Sequence, residues 1–333
     1  MLETLAESKE WLSKPVTVAY VFPGQGSQYT GMGEQLIRES KTAQNIFNRA
    51  DDHLGYSITD ICINNPHGEL SNTVFAQPAI YTHSVAIHAV LEEIGFLPDF
   101  VAGHSMGEIP ALVAAGGLEF EDGLDIVCKR AELMDKAGKM ADVDRPGGMG
   151  FISGMEKQEI EQYIDNKTVY IANINAPNQI VVSGYKDAIG EMIQKVRSYA
   201  QEKQKPLRAD TLDISIAAHS PLMAPVVEEF RAFLNTIEFK KPNIPIILNR
   251  TNDIAEDPEM IKQALVDQLT RGVDWVQVQE RLRNLGVNGI IEVGPRDVLA
   301  KLAKKANIAN TKERILASDK LQGFGSLLQV LRT

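Results

Sequence analysis

The order of apolar runs and helical stripes along the chain predicts alternating strands and helices. Residues 16–22 form a short apolar run that ends in the turn Pro23-Gly24-Gln25-Gly26-Ser27-Gln28, and read as a buried strand, a loop and then a helix near 33–40. Helical spacing recurs over 42–53 and 77–94. A short strand at 100–102, a tight turn at 103–107 and helices to about residue 140 follow. Strands alternating with helices predict a parallel sheet covered on both faces.

From Gly147 to Ser215 the rhythm changes. The pattern reads strand (149–153), helix (157–163), strand (169–173), strand (180–183), helix (187–202), strand (206–212), which is βαββαβ, the ferredoxin-like order. Turn-rich flanks, Asp144-Arg145-Pro146-Gly147-Gly148 and Ala217-Ala218-His219-Ser220-Pro221, set this segment off as an insertion. The expected organisation is therefore a large α/β domain made of residues 1–146 and 216–333, interrupted by a small ferredoxin-like domain at 147–215. The larger unit resumes with a helix at 222–234, a strand at 246–248, helices near 258–269 and 276–285, a strand at 289–293 and a helix at 298–306.

Composition narrows the class. Hydrophobic residues at 44% and charged residues at 23% give an ordinary globular balance, which excludes wholesale disorder and fibrous repeats. The formal net charge of -10, with no basic stripe, argues against a dedicated nucleic-acid binder. Cys62 and Cys128 stand in no CxxC spacing and are too few for a disulfide framework or a four-ligand zinc site, so a reducing cytoplasm and no bound metal are expected. Glu3, Glu7 and Glu10 stand where a secretory signal carries positive charge, which predicts no secretion. The apolar stretches around 76–94 and 101–118 are broken by His83, His88, Glu92, His104 and Glu108, short of a membrane span.

The sharpest chemical signal is Gly103-His104-Ser105-Met106-Gly107, a G-x-S-x-G sequence between a predicted strand and a predicted helix, the context of a nucleophile elbow in an α/β-hydrolase-like fold. Glycines permit the tight turn, and a serine at a helix start faces N–H groups that favour developing negative charge. A serine nucleophile needs a base, and of the six histidines only His219 follows Ser105, at a predicted domain junction. His104 reads as a packed or backbone-bonded residue, His83 and His88 as satisfied core residues, and His53 and His67 as exposed. The Gly24-Gln25-Gly26 loop lacks the third glycine of a dinucleotide fingerprint and any following Gly-Lys-Ser/Thr. Gln25 can instead present a backbone N–H to an oxyanion. Arg130 shares a helical face with Val127 and Met134, so it is a structural ion pair, a snorkelling side chain or a guanidinium offered to a substrate carboxylate.

Taken together, Phe22-Pro23-Gly24-Gln25-Gly26-Ser27-Gln28, Gln77-Pro78-Ala79, the Ser105 motif with Glu108, Arg130 with Leu133-Met134, Asn173-Ile174-Asn175-Ala176-Pro177, His219-Ser220-Pro221-Leu222-Met223 and Glu292-Val293-Gly294-Pro295 resemble the malonyl-CoA:acyl carrier protein transacylase family. The resemblance spans about residues 17–306. It implies that Ser105 attacks an acyl-CoA thioester with His219 as base, and that a carrier-protein phosphopantetheine thiol then removes the acyl group. It further implies an oxyanion hole of the Gln25 and Met106 N–H groups, Arg130 on the malonate carboxylate, and pocket-lining roles for Gln77 and Asn175. The histidine's orienter is expected to be a backbone carbonyl near Asp274-Trp275. Two departures stand out: Ile109-Pro110 replaces the tyrosine-containing sequence common after the Gly-Glu, and Ile216-Ala217-Ala218 precedes His219 where malonyl-specific members often carry a bulky Phe, which implies room for an α-substituted malonyl unit; Arg271-Gly272 also stands where Asn-Pro is common.

By the same resemblance malonyl-CoA is a substrate, no cofactor is bound permanently, and the partner is an acyl carrier protein met by a monomer. The chain and such carriers are both acidic, so a local basic patch is expected, with Arg271, Lys301, Lys304 and Lys305 as candidates. The competing readings are a hydrolase that strips stalled acyl groups from carrier proteins, which Arg130 disfavours, and a non-enzymatic scaffold, which Ser105 and His219 disfavour.

Overall fold

Two faces of one buried strand organise the larger part of the molecule. The computed structural model describes residues 16–140, 145–212, 214–308 and 315–319. The acidic N-terminus, Asp144 and the outer ends of the expected large domain lie outside the described residues. In chain order the strands are β1 (Val18–Phe22), β2 (Phe100–Gly103), β3 (Gly147–Ser153), β4 (Val169–Ala176), β5 (Gln179–Tyr185), β6 (Arg208–Thr211), β7 (Ile246–Ile247), β8 (Val273–Asp274), β9 (Gly289–Glu292) and β10 (Ile315–Ala317). All five residues of β1 are buried. Because side chains alternate across a strand, Val18, Tyr20 and Phe22 join one apolar core while Ala19 and Val21 join a second on the opposite face. This is why β1 reads as a continuous apolar run.

The first sheet has the order β10-β9-β1-β2-β7 and is parallel throughout. It meets the expectation of a parallel α/β unit. The helix Thr73–Glu93 packs over it and is buried on nearly every side. It begins four residues before the expected start, since Asn72 caps it by accepting from the Val74 N–H at 3.0 Å. The helix predicted at 222–234 opens instead as a 3-10 segment, Pro221–Val226, and becomes α-helical only over Val227–Leu234, because Pro225 brings no N–H to an α ladder. The short helix Ile58–Ile63 and strands β8 and β10 were not expected; each is too brief to show a period.

The second sheet runs β6-β3-β5-β4-β8. Its first four strands pair antiparallel and, with the helices Lys157–Glu161 and Lys186–Glu202, give the expected βαββαβ order. Ile152, Ile180 and Val182 face Ile189, Ile193 and Val196 of the longer helix in a separate core. Each such buried side chain contributes roughly 1.5–3 kcal/mol of transfer free energy. The fifth strand comes from outside this segment: β8 runs parallel to β4, with Asn173 opposite Val273 and Ile174 opposite Asp274. Gly272 makes that approach possible, because a Cβ there would stand 2.9 Å from the carbonyl oxygens of both Ile171 and Ala172. No described helix is long and apolar enough to cross a membrane.

Candidate active site

β1 and β2 lie side by side, with Phe22 opposite Gly103, and each runs at its carboxyl end into a glycine-bearing turn, where ligands gather on parallel sheets. The second turn carries Ser105 and leads into the helix Glu108–Ala114. It passes so close to the first that a Cβ on Gly107 would stand 2.2 Å from the Phe22 carbonyl oxygen. Only hydrogen fits there. Ser105 is held in the left-handed region at φ 54°, a conformation that costs a non-glycine residue about 1–3 kcal/mol. Asn249 compensates by accepting from the Ser105 N–H at 2.9 Å and donating to the Gly103 carbonyl.

His219 approaches from the turn that follows the second sheet, also left-handed at φ 59°. Its Nε2 lies 2.8 Å from Ser105 Oγ and its Nδ1 lies 2.7 Å from the Gln268 carbonyl oxygen. A carbonyl can only accept, so Nδ1 carries the proton and Nε2 offers its lone pair to the serine hydroxyl. Burial, and after it the positive charge of Arg130, lower the His219 pKa from 6.5 to about 3. The imidazole is therefore neutral at neutral pH. The orienting carbonyl is not near Asp274-Trp275 as expected. The helix Pro258–Thr270 ends beside His219, and Gln268 is among its last four residues, whose carbonyls have no partner within the helix.

Arg130 projects from the helix Phe120–Met140 and is 2% exposed. Its Nη1 donates to Gln77 Oε1 at 2.8 Å, and its Nη2 donates to Gln268 Oε1 at 3.1 Å and Ser105 Oγ at 3.2 Å. No carboxylate among the described residues forms an ion pair with it, and it does not snorkel. Burial lowers its pKa to about 10, with the Glu108 carboxyl pulling the other way, so it stays protonated at neutral pH. Among the described residues the hydrogen-bond partners of this desolvated cation, beside the serine, are all neutral oxygens.

Gln77 lies behind Arg130 rather than on the cleft wall: its Nε2 donates to Thr73 Oγ1 at 2.9 Å, which donates to Gln25 Oε1 at 2.8 Å. That chain ties the guanidinium to the first glycine-bearing turn. On the two turns, the N–H groups of Gly26, Ser27, Ser105 and Gly107 are taken up by Gln28 Oε1, Gly24 O, Asn249 Oδ1 and His104 O. Those of Gln25 and Met106 donate to no acceptor among the described residues. Asn175 lines the cleft, with its Oδ1 2.8 Å from His104 Nε2. His104 is half-buried and packed, its ring edge-on to Trp275 at 5.4 Å, and its ring nitrogen bonds to a side chain rather than to backbone. His53 and His67 are exposed and His83 and His88 buried, as expected. The last two are not fully satisfied, since neither Nδ1 has a partner; burial, the dominant influence on both, lowers their pKa values.

Three buried residues to which the sequence assigned no role, Glu108, Asn249 and Gln268, brace the site. Glu108 Oε1 accepts from the Asn249 N–H at 2.9 Å, its Oε2 accepts from Gln268 Nε2 at 2.6 Å, and the same Nε2 donates to the Ser105 carbonyl at 3.0 Å. Burial raises the Glu108 pKa to about 7 against the pull of these bonds. Gln268 was detectable in principle: it falls three, four and seven residues after Leu265, Ala264 and Ile261 on a buried stripe, the same anomaly that flagged Arg130. Ser105, His219 and Arg130 open together into a cleft walled by Met134, Met149, Val181, Leu212, Ile216 and Ala218. Among the described residues no group of three or more His, Cys, Asp or Glu side chains could hold a metal ion.

A serine bonded to a neutral histidine at the carboxyl edge of a parallel sheet, with a buried guanidinium at hand, is the apparatus of an acyl-transferring serine enzyme. The sequence matches the acyl transferase domain family over residues 19–318, and the chain belongs to it. It is 36% identical over 295 residues to the malonyl CoA-acyl carrier protein transacylase of Bacillus subtilis, covering 87% of this chain and 90% of that one. Among solved structures it is similar to an acyl carrier protein S-malonyltransferase from Vibrio cholerae, at 33% identity and TM-score 0.82, covering 94% and 99% of the two chains. It is also similar to a malonyl-transacylase solved in complex with a type II polyketide synthase acyl carrier protein, at 33% identity and TM-score 0.83, covering 95% and 99%.

Proposed function

We propose that this enzyme transfers a malonyl group from CoA to the phosphopantetheine thiol of an acyl carrier protein through an acyl-Ser105 intermediate. The observation that carries the reading is the joint placement of the Ser105–His219 contact and an Arg130 guanidinium with no carboxylate partner among the described residues. Ser105 Oγ attacks the thioester carbonyl carbon while His219 Nε2 takes its proton; the CoA sulfur then leaves and receives that proton. In the second half the carrier thiol gives its proton to His219 and attacks the serine ester, and Ser105 leaves reprotonated. The Gln25 and Met106 N–H groups are the donors for the oxyanion. The Arg130 fork takes the free carboxylate of malonate, with Gln77 holding it from behind and Asn175 on the cleft wall.

In this proposal residues 1–146 and 216–333 form the catalytic domain and 147–215 a small domain that closes one side of the cleft. Ala218, small where it faces the cleft, leaves room for an α-substituent. The reaction uses CoA and the carrier's phosphopantetheine as substrates with no resident cofactor, and takes place in the cytoplasm. Hydrolytic editing is the weaker reading, because a buried cation has no use for an uncharged acyl chain.

The test is intact-protein mass after brief exposure to malonyl-CoA, followed by addition of a phosphopantetheinylated carrier. A malonyl adduct that requires Ser105 and moves to the carrier supports the proposal. Loss of the adduct to water with no carrier product overturns it.

A further inference from the structure

We propose that Glu108 is a positioning residue that sets the acyl selectivity of the site by fixing the carboxamide of Gln268 against Arg130. The inference rests on the reading of Arg130 as the receptor for the malonate carboxylate.

A carboxamide has a donor end and an acceptor end, and which end faces a guanidinium decides whether the contact attracts or repels. In Gln268 the Nε2 end is held between two acceptors, the Ser105 carbonyl at 3.0 Å and Glu108 Oε2 at 2.6 Å, so that Oε1 faces Arg130 Nη2 at 3.1 Å. The shorter of the two holding bonds goes to Glu108. Turned the other way, the amide would set N–H against the guanidinium and a carbonyl oxygen against two oxygens. Gln268, Glu108 and Arg130 are all buried, so water is poorly placed to relieve those clashes.

Glu108 also reaches the serine by a second route. Its Oε1 accepts from the Asn249 N–H, and Asn249 accepts from the Ser105 N–H. One carboxylate therefore braces both the nucleophile's backbone and the group beside the cation. It lies one side chain away from Arg130 rather than on it, so the guanidinium keeps a counter-charge nearby without being capped by an ion pair.

The test uses the full chain and four proteins: wild type, Glu108→Gln, Gln268→Met and the double variant. Methionine keeps the main-chain carbonyl that orients His219 and removes only the carboxamide. Acylation rates with malonyl-CoA and acetyl-CoA give the malonyl preference of each. Glu108→Gln offers an N–H where Gln268 needs an acceptor, so the preference is expected to fall roughly ten- to hundredfold, the range for one hydrogen bond to a charged group. Gln268→Met is expected to do the same, and the double variant to lose no more than either alone. Should Glu108→Gln fail to fold, Glu108→Asp, which withdraws the carboxylate by one methylene, is compared in the same cycle. Equal loss with both CoA esters, an unchanged preference in the Glu108 variant, or additive losses overturn the proposal alone. A wild type with no malonyl preference overturns it together with the reading of Arg130.

Discussion

Replacing Arg130 separates recognition of the acyl group from the chemistry performed on it. The guanidinium makes three hydrogen bonds to neutral acceptors, on two different nitrogens, and no ion pair among the described residues. Its desolvation cost has thus been met in the folded protein, and a substrate carboxylate adds charge-assisted bonds in a site already shielded from water. Truncating one partner of such a buried pair costs about 2–5 kcal/mol, or roughly 30- to 5,000-fold in kcat/KM. Arg130→Ala is expected to lower malonyl acylation by that range while acetyl acylation, which needs no cation, changes only a few-fold. Arg130→Lys restores charge without the bidentate fork, so it is expected to fall between the two. The assay is the time course of the acyl-enzyme mass with each CoA ester. Equal losses for malonyl and acetyl in Arg130→Ala would refute the reasoning and return Arg130 to a structural role.

Three further outcomes follow from the same geometry. Gly107→Ala drives a Cβ to 2.2 Å from the Phe22 carbonyl oxygen, and overpacking of this kind costs about 1–3 kcal/mol or more; a thermal scan is expected to show a midpoint several degrees lower, and an unchanged midpoint would mean the two turns are not in contact. Ala218→Phe fills part of the cleft wall and is expected to reduce acylation by α-substituted malonyl-CoA about tenfold relative to malonyl-CoA, measured by competition between the two. Burial raises the Glu108 pKa from 4.5 to about 7, so the folded chain keeps a proton that the unfolded chain has released between those values. The stability this contributes is full below the unfolded value and is lost as pH rises through the folded one. Denaturant titrations across that window are expected to show a steeper decline for wild type than for Glu108→Gln, and parallel curves would contradict it.

What the sequence reveals follows from how locally each feature is encoded. The turn around Ser105 is legible because its glycines, serine and flanking elements are contiguous, and βαββαβ is legible because each of its elements spans enough residues to show a period. Arg130 announces itself as a charge on an apolar stripe. Gln268 carries the same signature in a weaker form, since a neutral amide on a stripe is less anomalous than a cation. The carbonyl that orients His219 has no side-chain signature at all, and its identity depends on where the helix Pro258–Thr270 stops relative to a turn 49 residues earlier in the chain. Asn249 follows the two-residue strand β7 and meets Ser105 only across the sheet, a pairing that no spacing along the chain encodes.

The strand exchange between the two sheets bears on how this enzyme can be rebuilt. Segment 147–215 looks, in sequence, like a cassette that could be swapped to graft a new acyl preference. β8 defeats that plan, because two residues from the other part of the chain complete its sheet, opposite Asn173 and Ile174, at the cleft edge where Asn173 and Asn175 stand. A transplant that leaves residues 272–274 behind would uncover an edge strand beside the active site. The exchangeable unit is discontinuous, and a chimera has to carry Gly272, Val273 and Asp274 along with the cassette.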